Sequence, residues 1–189
     1  MNVEPKFIVG QIDEKIANHF FQNLVDPEYV QASEKQFLIS SPGGDVGYML
    51  SMFDQIRIMG ATTIGSGILQ SAAAVLLQAG KIRKMTRNSL LVFHEPEKRK
   101  TVLPAVDGRK EKVVEEIPQK DWTLYTHLVG LVADRTGMSE IEAYDIFDGK
   151  FITPEKAKTL NLIDEIIDPK VIPVYQPNFE EGSGDDTSN

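Results

Sequence analysis

Cysteine is absent from all 189 residues, which excludes a disulfide framework, a thiolate metal site and a cysteine nucleophile. Long apolar runs are also absent: none approaches the ~20 residues needed to span a bilayer. The opening Met1-Asn2-Val3-Glu4-Pro5 has no basic region followed by an apolar stretch. No secretory signal is therefore expected, and the default location is cytoplasmic. Positive charge is in deficit. The net charge of −8 argues against a nucleic-acid-binding surface. The clusters at Lys98 to Lys100 and Arg109 to Lys112 have acidic neighbours and read as solvated loops. No metal or cofactor site is apparent, so none is expected.

The rest of the composition is that of a soluble globular protein, 41% hydrophobic and 25% charged, long enough for one domain with a real core. That domain is expected over residues 1–170. Residues 171–189 form a C-terminal extension whose acidic, polar end (Glu-Glu-Gly-Ser-Gly-Asp-Asp-Thr-Ser-Asn) is expected to be disordered.

Periodicity gives an alternation of elements. Lys6 to Gly10, Gln36 to Ser40, Ala61 to Ser66, Lys84-Met85, Ser89 to His94 and Leu162 to Ile167 read as strands. Asp13 to Leu24, Asp45 to Met59 and the alanine-rich Ser71 to Gln78 read as helices, the last one buried with Gly80 at its stop. The rhythm breaks at Glu95 to Pro118, which carries three prolines and the turn signal Asp107-Gly108. Val102-Leu103 and Val113-Val114 flank that signal and suit a hairpin. Gln119 to Arg135 is a longer helix. Ser139 to Glu142 is a capping box, and Thr153-Pro154 is a cap followed by proline at the first helical position. The class is α/β with mainly parallel pairing.

Three features along this frame carry chemistry. Ser41-Pro42-Gly43-Gly44 makes a turn whose glycines let a substrate approach the backbone. Ser71 falls where the third strand hands over to the buried helix, so its oxygen lies at a helix N-terminus that favours negative charge. A plain N-cap is the alternative for Ser71. His94 ends an apolar strand, at the sheet edge where α/β sites form. His19 and His127 lie on helix faces and are read as hydrogen-bonded core histidines. Together the three features supply donors, nucleophile and base for serine acyl transfer.

These residues resemble the proteolytic subunit of the Clp protease family. The family's Ser-Pro-Gly-Gly turn is matched by Ser41 to Gly44, its Gly-x-x-x-Ser by Gly67 to Ser71, and its His-x-Pro by His94-Glu95-Pro96 after Asn88-Ser89. The C-terminal Phe-x-[Ser/Thr]-x-x-Glu-Ala element is matched in part by Phe151 to Asp164, through Thr153, Pro154, Glu155 and Ala157. The resemblance covers about residues 6–168. It implies a crotonase-like spiral of ββα units with a long helix forming a handle. It implies a serine endopeptidase: Ser71 attacks, His94 is the base, and the Gly44 and Ala72 N–H groups hold the oxyanion.

The chain also departs from the pattern. The triad aspartate of the family falls here on Gly149, so Asp148, one residue earlier, is taken as the acid, with Asp145 as fallback. Ala72 replaces the usual methionine, and Gln70 is bulkier than the usual residue. The first strand begins within a few residues of Met1, leaving no axial-loop segment, which speaks against docking of an ATPase unfoldase by that route. Residues 98–119 depart from the family, so groove contacts do not carry over. The handle helix, with an apolar face needing a partner, implies a homo-oligomeric ring acting on peptide or unfolded protein. Two other readings stand beside this one. One is a non-catalytic subunit that only assembles, suggested by the irregular aspartate. The other is a crotonase-type acyl-CoA enzyme, which shares the fold without needing Ser71 or His94. A Ser–Lys dyad ranks lower, since no lysine has a context that marks it as base.

Overall fold

The structure is a computed structural model, described here over residues 4–96, 99–103, 112–116 and 119–168. The expected C-terminal extension and the Asp107-Gly108 turn lie outside the described residues.

Five strands form one parallel sheet: β1 (Lys6–Val9), β2 (Gln36–Ser40), β3 (Thr62–Gly65), β5 (Ile82–Thr86) and β9 (Glu165–Ile167), in the order β1-β2-β3-β5-β9. The register runs Phe7 to Leu38, Leu38 to Ile64, Ile64 to Lys84 and Met85 to Ile166. A second, smaller parallel layer pairs β4 (Ile68–Gln70) with β6 (Leu90–Val92). The helices are α1 (Glu14–Leu24), α2 (Pro27–Gln31), α3 (Val46–Met59), α4 (Ala72–Leu77), α5 (Gln119–Thr136), α6 (Glu140–Asp145) and α7 (Pro154–Thr159). An antiparallel hairpin, β7 (Arg99–Leu103) and β8 (Lys112–Glu116), pairs Val102 with Val113 as the sequence suggests.

Local chemistry explains most boundaries. Asp13, Asp45 and Thr153 each cap their helix by accepting from the third residue on, and Ser139 and Glu142 close the reciprocal capping box. Gly60 ends α3 in the left-handed conformation. Two elements go beyond the expectation. The short helix α2 starts at Asp26-Pro27, a cap and a first-position proline that its brevity hides. The strand β4 separates β3 from Ser71, so Ser71 follows the smaller layer and not the third strand directly. The last strand is shorter than expected: Leu162 and Ile163 are buried but unpaired, because Asp164 turns to bind Arg83.

Every residue of α4 is buried, which makes it the pivot of the core. Val75, Leu76 and Leu77 each contribute on the order of 2 kcal/mol by leaving water. Arg83, only 4% exposed, ties the surrounding elements together. Its guanidinium takes Asp164 in a fork at 2.9 and 3.1 Å and donates to Gln78 and to the Arg135 carbonyl. Arg135 in turn donates to the carbonyls of Gln78 and Gly80, both at 2.7 Å. The C-terminal ends of α4 and α5 are thereby locked together. The apolar face of α5 is covered within the chain, with Tyr125, Val129 and Val132 buried in the same core. The need for a partner inferred from that face is thus met largely inside the chain, although Trp122 remains 43% exposed. His19 and His127 are corrected from core residues to exposed ones: each lies off the buried stripe of its helix, set by Ala17 and Phe20 in α1 and by Tyr125, Val129 and Val132 in α5.

Candidate active site

The site is assembled by backbone links that run from element to element. The Gln70 N–H donates to the Ser41 carbonyl at 3.1 Å, which holds β4 to the glycine turn. The Ser71 N–H donates to the Val92 carbonyl at 2.8 Å, which sets the serine beside the end of β6, two residues from His94. Beyond it, Gly149 N–H donates to the Phe93 carbonyl at 2.9 Å, and His94 and Asp148 form an isolated antiparallel bridge. The sequence order turn, serine, histidine, aspartate thus becomes a spatial order.

Ser71 takes φ 56° and ψ −125°, an unusual conformation for a residue with a side chain. It stands at the N-cap position of α4 yet makes no side-chain cap bond. The bland reading of Ser71 as a cap therefore fails on its main observable. Strain of this kind costs about 1–3 kcal/mol and is tolerated where the surroundings fix it.

The glycine turn explains its own composition. Gly43 has φ 94°, and a Cβ there would lie 2.6 Å from the Gln70 carbonyl oxygen and 2.9 Å from the Ser71 Cβ. Gly44 has φ 148°, and a Cβ there would meet the Ile12 backbone at 2.2 Å. Only glycine fits either place. The Gly43 N–H donates to Ser41 Oγ at 3.0 Å and is occupied. The N–H groups of Gly44 and Ala72 take part in none of the turn and loop bonds around them. These two are the donors expected from the sequence. The Gly43 Cβ position is 3.1 Å from the Ala72 nitrogen, so the turn and the start of α4 lie against each other.

Ser71, Ala72 and His94 line one cavity of about 220 Å³. Its walls are mainly apolar, formed by Val46, Val75, Leu124, Leu128 and Phe147, with Asp121 and Tyr125 also in the lining. A larger hollow of about 800 Å³ lies between β1, α1 and α2 and includes His19, but no residue of the acyl-transfer set reaches it. A serine and a histidine that share one cavity are a stronger pointer to chemistry than size alone.

The acid behaves differently from the expectation. Asp148 is beside His94 along the backbone, but its carboxylate is held by the Lys150 ammonium and the Lys150 N–H. The Lys150 side chain, followed by its backbone N–H, keeps the Asp148 carboxyl below the usual carboxylate range. His94 Nδ1 instead lies 2.8 Å from the Glu95 carbonyl oxygen. A carbonyl only accepts, so Nδ1 carries the proton there, and in the neutral ring Nε2 is left as the base. This is the tautomer a serine site needs, set by main chain; sequence reasoning missed it because any residue after His94 supplies the same carbonyl. Asp145, the fallback acid, is exposed at the end of α6 with no partner among the described residues. Among the described residues no cluster of metal-ligating side chains occurs, and no helix is long and apolar enough to cross a membrane.

The sequence profile of the Clp protease family matches residues 4–170. The ATP-dependent Clp protease proteolytic subunit 1 of Thermobifida fusca is 29% identical over 167 residues, covering 85% of this chain and 72% of the relative. The proteolytic subunit 2 of Treponema denticola is 30% identical over 146 residues, covering 74% of this chain and 69% of the relative. Among solved structures, ClpP1 from Listeria monocytogenes superposes with a TM-score of 0.71 at 20% identity, over 88% of this chain and 92% of that one. The ClpP protease catalytic domain from Plasmodium falciparum gives 0.69 at 20% identity, over 90% and 88%. The structural likeness establishes the fold expected from the sequence.

Proposed function

Since the chain belongs to the Clp protease family, we propose that it is a serine endopeptidase that cleaves peptide bonds through an acyl-enzyme on Ser71. The observation that carries this reading is the shared cavity of Ser71 and His94, with Ser71 held at positive φ against the Gly43-Gly44 turn.

In this mechanism the Ser71 hydroxyl oxygen bonds to the scissile carbonyl carbon while His94 Nε2 takes its proton. The negative charge that develops on the carbonyl oxygen falls to the Gly44 and Ala72 N–H groups. Collapse breaks the C–N bond, and the leaving amine takes the proton from His94. Water then adds to the serine ester with His94 again as base, which releases the acid and restores Ser71. Asp148 orients and steadies the imidazolium once its carboxylate leaves Lys150 for Nδ1. Until then the Glu95 carbonyl fills the orienting place. The substrate class is peptide or unfolded protein, and the working form is a homo-oligomer, by likeness to the proteolytic subunits matched above. An ATPase partner is not part of the proposal, although the relatives' names include ATP dependence.

The test is hydrolysis of internally quenched peptides by the purified chain and by Ser71→Ala and His94→Ala. Turnover by the parent that falls by a factor of about 10⁴ or more in both variants supports the reading. Equal turnover in all three refutes it. The crotonase-type alternative predicts tight binding of an acyl-CoA thioester with no dependence on Ser71.

A further inference from the structure

The Ser71–His94 cavity has largely apolar walls, and the one carboxylate among its described lining residues is Asp121, in the first turn of α5. We propose that Asp121 is a specificity-determining residue, selecting substrates with lysine or arginine at the position whose carbonyl Ser71 attacks. The proposal rests on the peptidase reading and deepens it.

Four observations carry it. First, the cavity of about 220 Å³ is the size of one large side chain, or about seven waters at ~30 Å³ each. Second, its walls suit a long aliphatic stem: Val46, Val75, Leu124 and Leu128 offer hydrocarbon. A lysine or arginine stem packs on such a surface and leaves its charged head to find a partner. Third, Asp121 is half-buried, and no group among the described residues bonds or pairs with it, so its oxygens are available to that head. Fourth, among the described residues no lysine or arginine lines the cavity. Glu95 lies near enough to Tyr125, another lining residue, that after burial it is the next cause raising the phenol to about 12. Two described carboxylates, Asp121 and Glu95, thus stand at or near the cavity and favour a cation there. A position in the first turn also suits an acid against the helix dipole, which accounts for Asp121 on α5 but not for its place in the cavity lining.

The consequence is measurable as a ratio inside each enzyme, which cancels differences in folded fraction. Peptides identical except for lysine, norleucine or glutamate at the cleaved position are compared by kcat/KM. The parent is expected to prefer lysine over norleucine, and Asp121→Asn to lower that ratio about tenfold, the size expected of a partly solvated charge pair. Asp121→Lys is expected to shift preference towards glutamate, an inversion that simple loss of folding does not produce. Asp121→Glu should keep the lysine preference. A parent that prefers norleucine, or ratios unchanged across the variants, overturns the proposal while leaving the peptidase reading intact. Cleavage of none of the peptides overturns both.

Discussion

Adding one methyl group at Gly43 separates the stability of the fold from the geometry of the site. Gly43 and Gly10 have nearly the same positive φ, 94° and 95°, so alanine at either position bears a backbone strain on the order of 1–3 kcal/mol. They differ in surroundings. A Cβ at Gly10 meets nothing within 4 Å, whereas at Gly43 it lies 2.6 Å from the Gln70 carbonyl oxygen and 2.9 Å from the Ser71 Cβ. Both neighbours are rigid, so the turn must move. Overpacking of this kind adds about 1–3 kcal/mol. For a chain of this size that lowers Tm by roughly 2–12 °C beyond the loss in Gly10→Ala. A displacement approaching 1 Å between the turn and Ser71 costs about a hundredfold in rate. The assay pairs thermal melting with the rate of peptide hydrolysis for Gly43→Ala and Gly10→Ala. Gly43→Ala should lose both stability and rate, and Gly10→Ala stability alone. Equal melting losses with equal rates in the two variants would refute the packing of Gly43 against the nucleophile.

The other predictions concern the acid, its lysine and the buried arginine. Asp148→Asn should lower kcat by a factor of up to about 10⁴, if its carboxylate takes over the imidazole during turnover; an unchanged kcat would assign the orienting role to the Glu95 carbonyl. Lys150→Met should retain or raise kcat, and the Asp148 carboxyl, followed by NMR titration, should move up towards its ordinary value, because its main depressing partner is gone. Arg83→Met should destabilise the chain by about 1–3 kcal/mol in urea unfolding, since it leaves the Gln78 side chain and the Arg135 carbonyl, at the ends of α4 and α5, without their donor and removes the solvent-screened pair with Asp164. At Asp164, burial raises the pKa but the Arg83 hydrogen bonds outweigh it, and the net shift is downward. The stability it supplies is therefore present above the unfolded-state value near 4 and lost as pH falls through the lower folded value. Urea midpoints measured between pH 6 and pH 2 should fall mainly below pH 4, and less steeply in Asp164→Asn; a parallel decline in both would contradict the assignment.

Legibility of the sequence followed the range of the interactions. Helices with a side-chain cap and an apolar stripe were plain, because Asp13, Asp45, Ser139 and Thr153 each act on the residue three positions on. The five-residue α2 and the three-residue β4 were not, since neither is long enough to show a period. The glycine turn, Ser71 and His94 stood out as a set because each requires a particular residue at a particular junction. What joins them did not. The links from Ser41 to Gln70 and from Ser71 to Val92 are made by backbone, which any sequence supplies. The choice of Lys150 by Asp148 depends on a local loop conformation that brings both the Lys150 N–H and its ammonium to one carboxylate. The covered face of α5 is a tertiary fact: α4 and α6 supply the partner that the sequence alone leaves open.

The central claim is that Ser71 is an activated nucleophile. Intact-mass analysis after treatment with a fluorophosphonate serine-hydrolase reagent tests it most directly, on the parent chain and on Ser71→Ala. The account predicts a single adduct on the parent and none on the variant. A folded parent that takes up no reagent, or a variant labelled as fast as the parent, would contradict it.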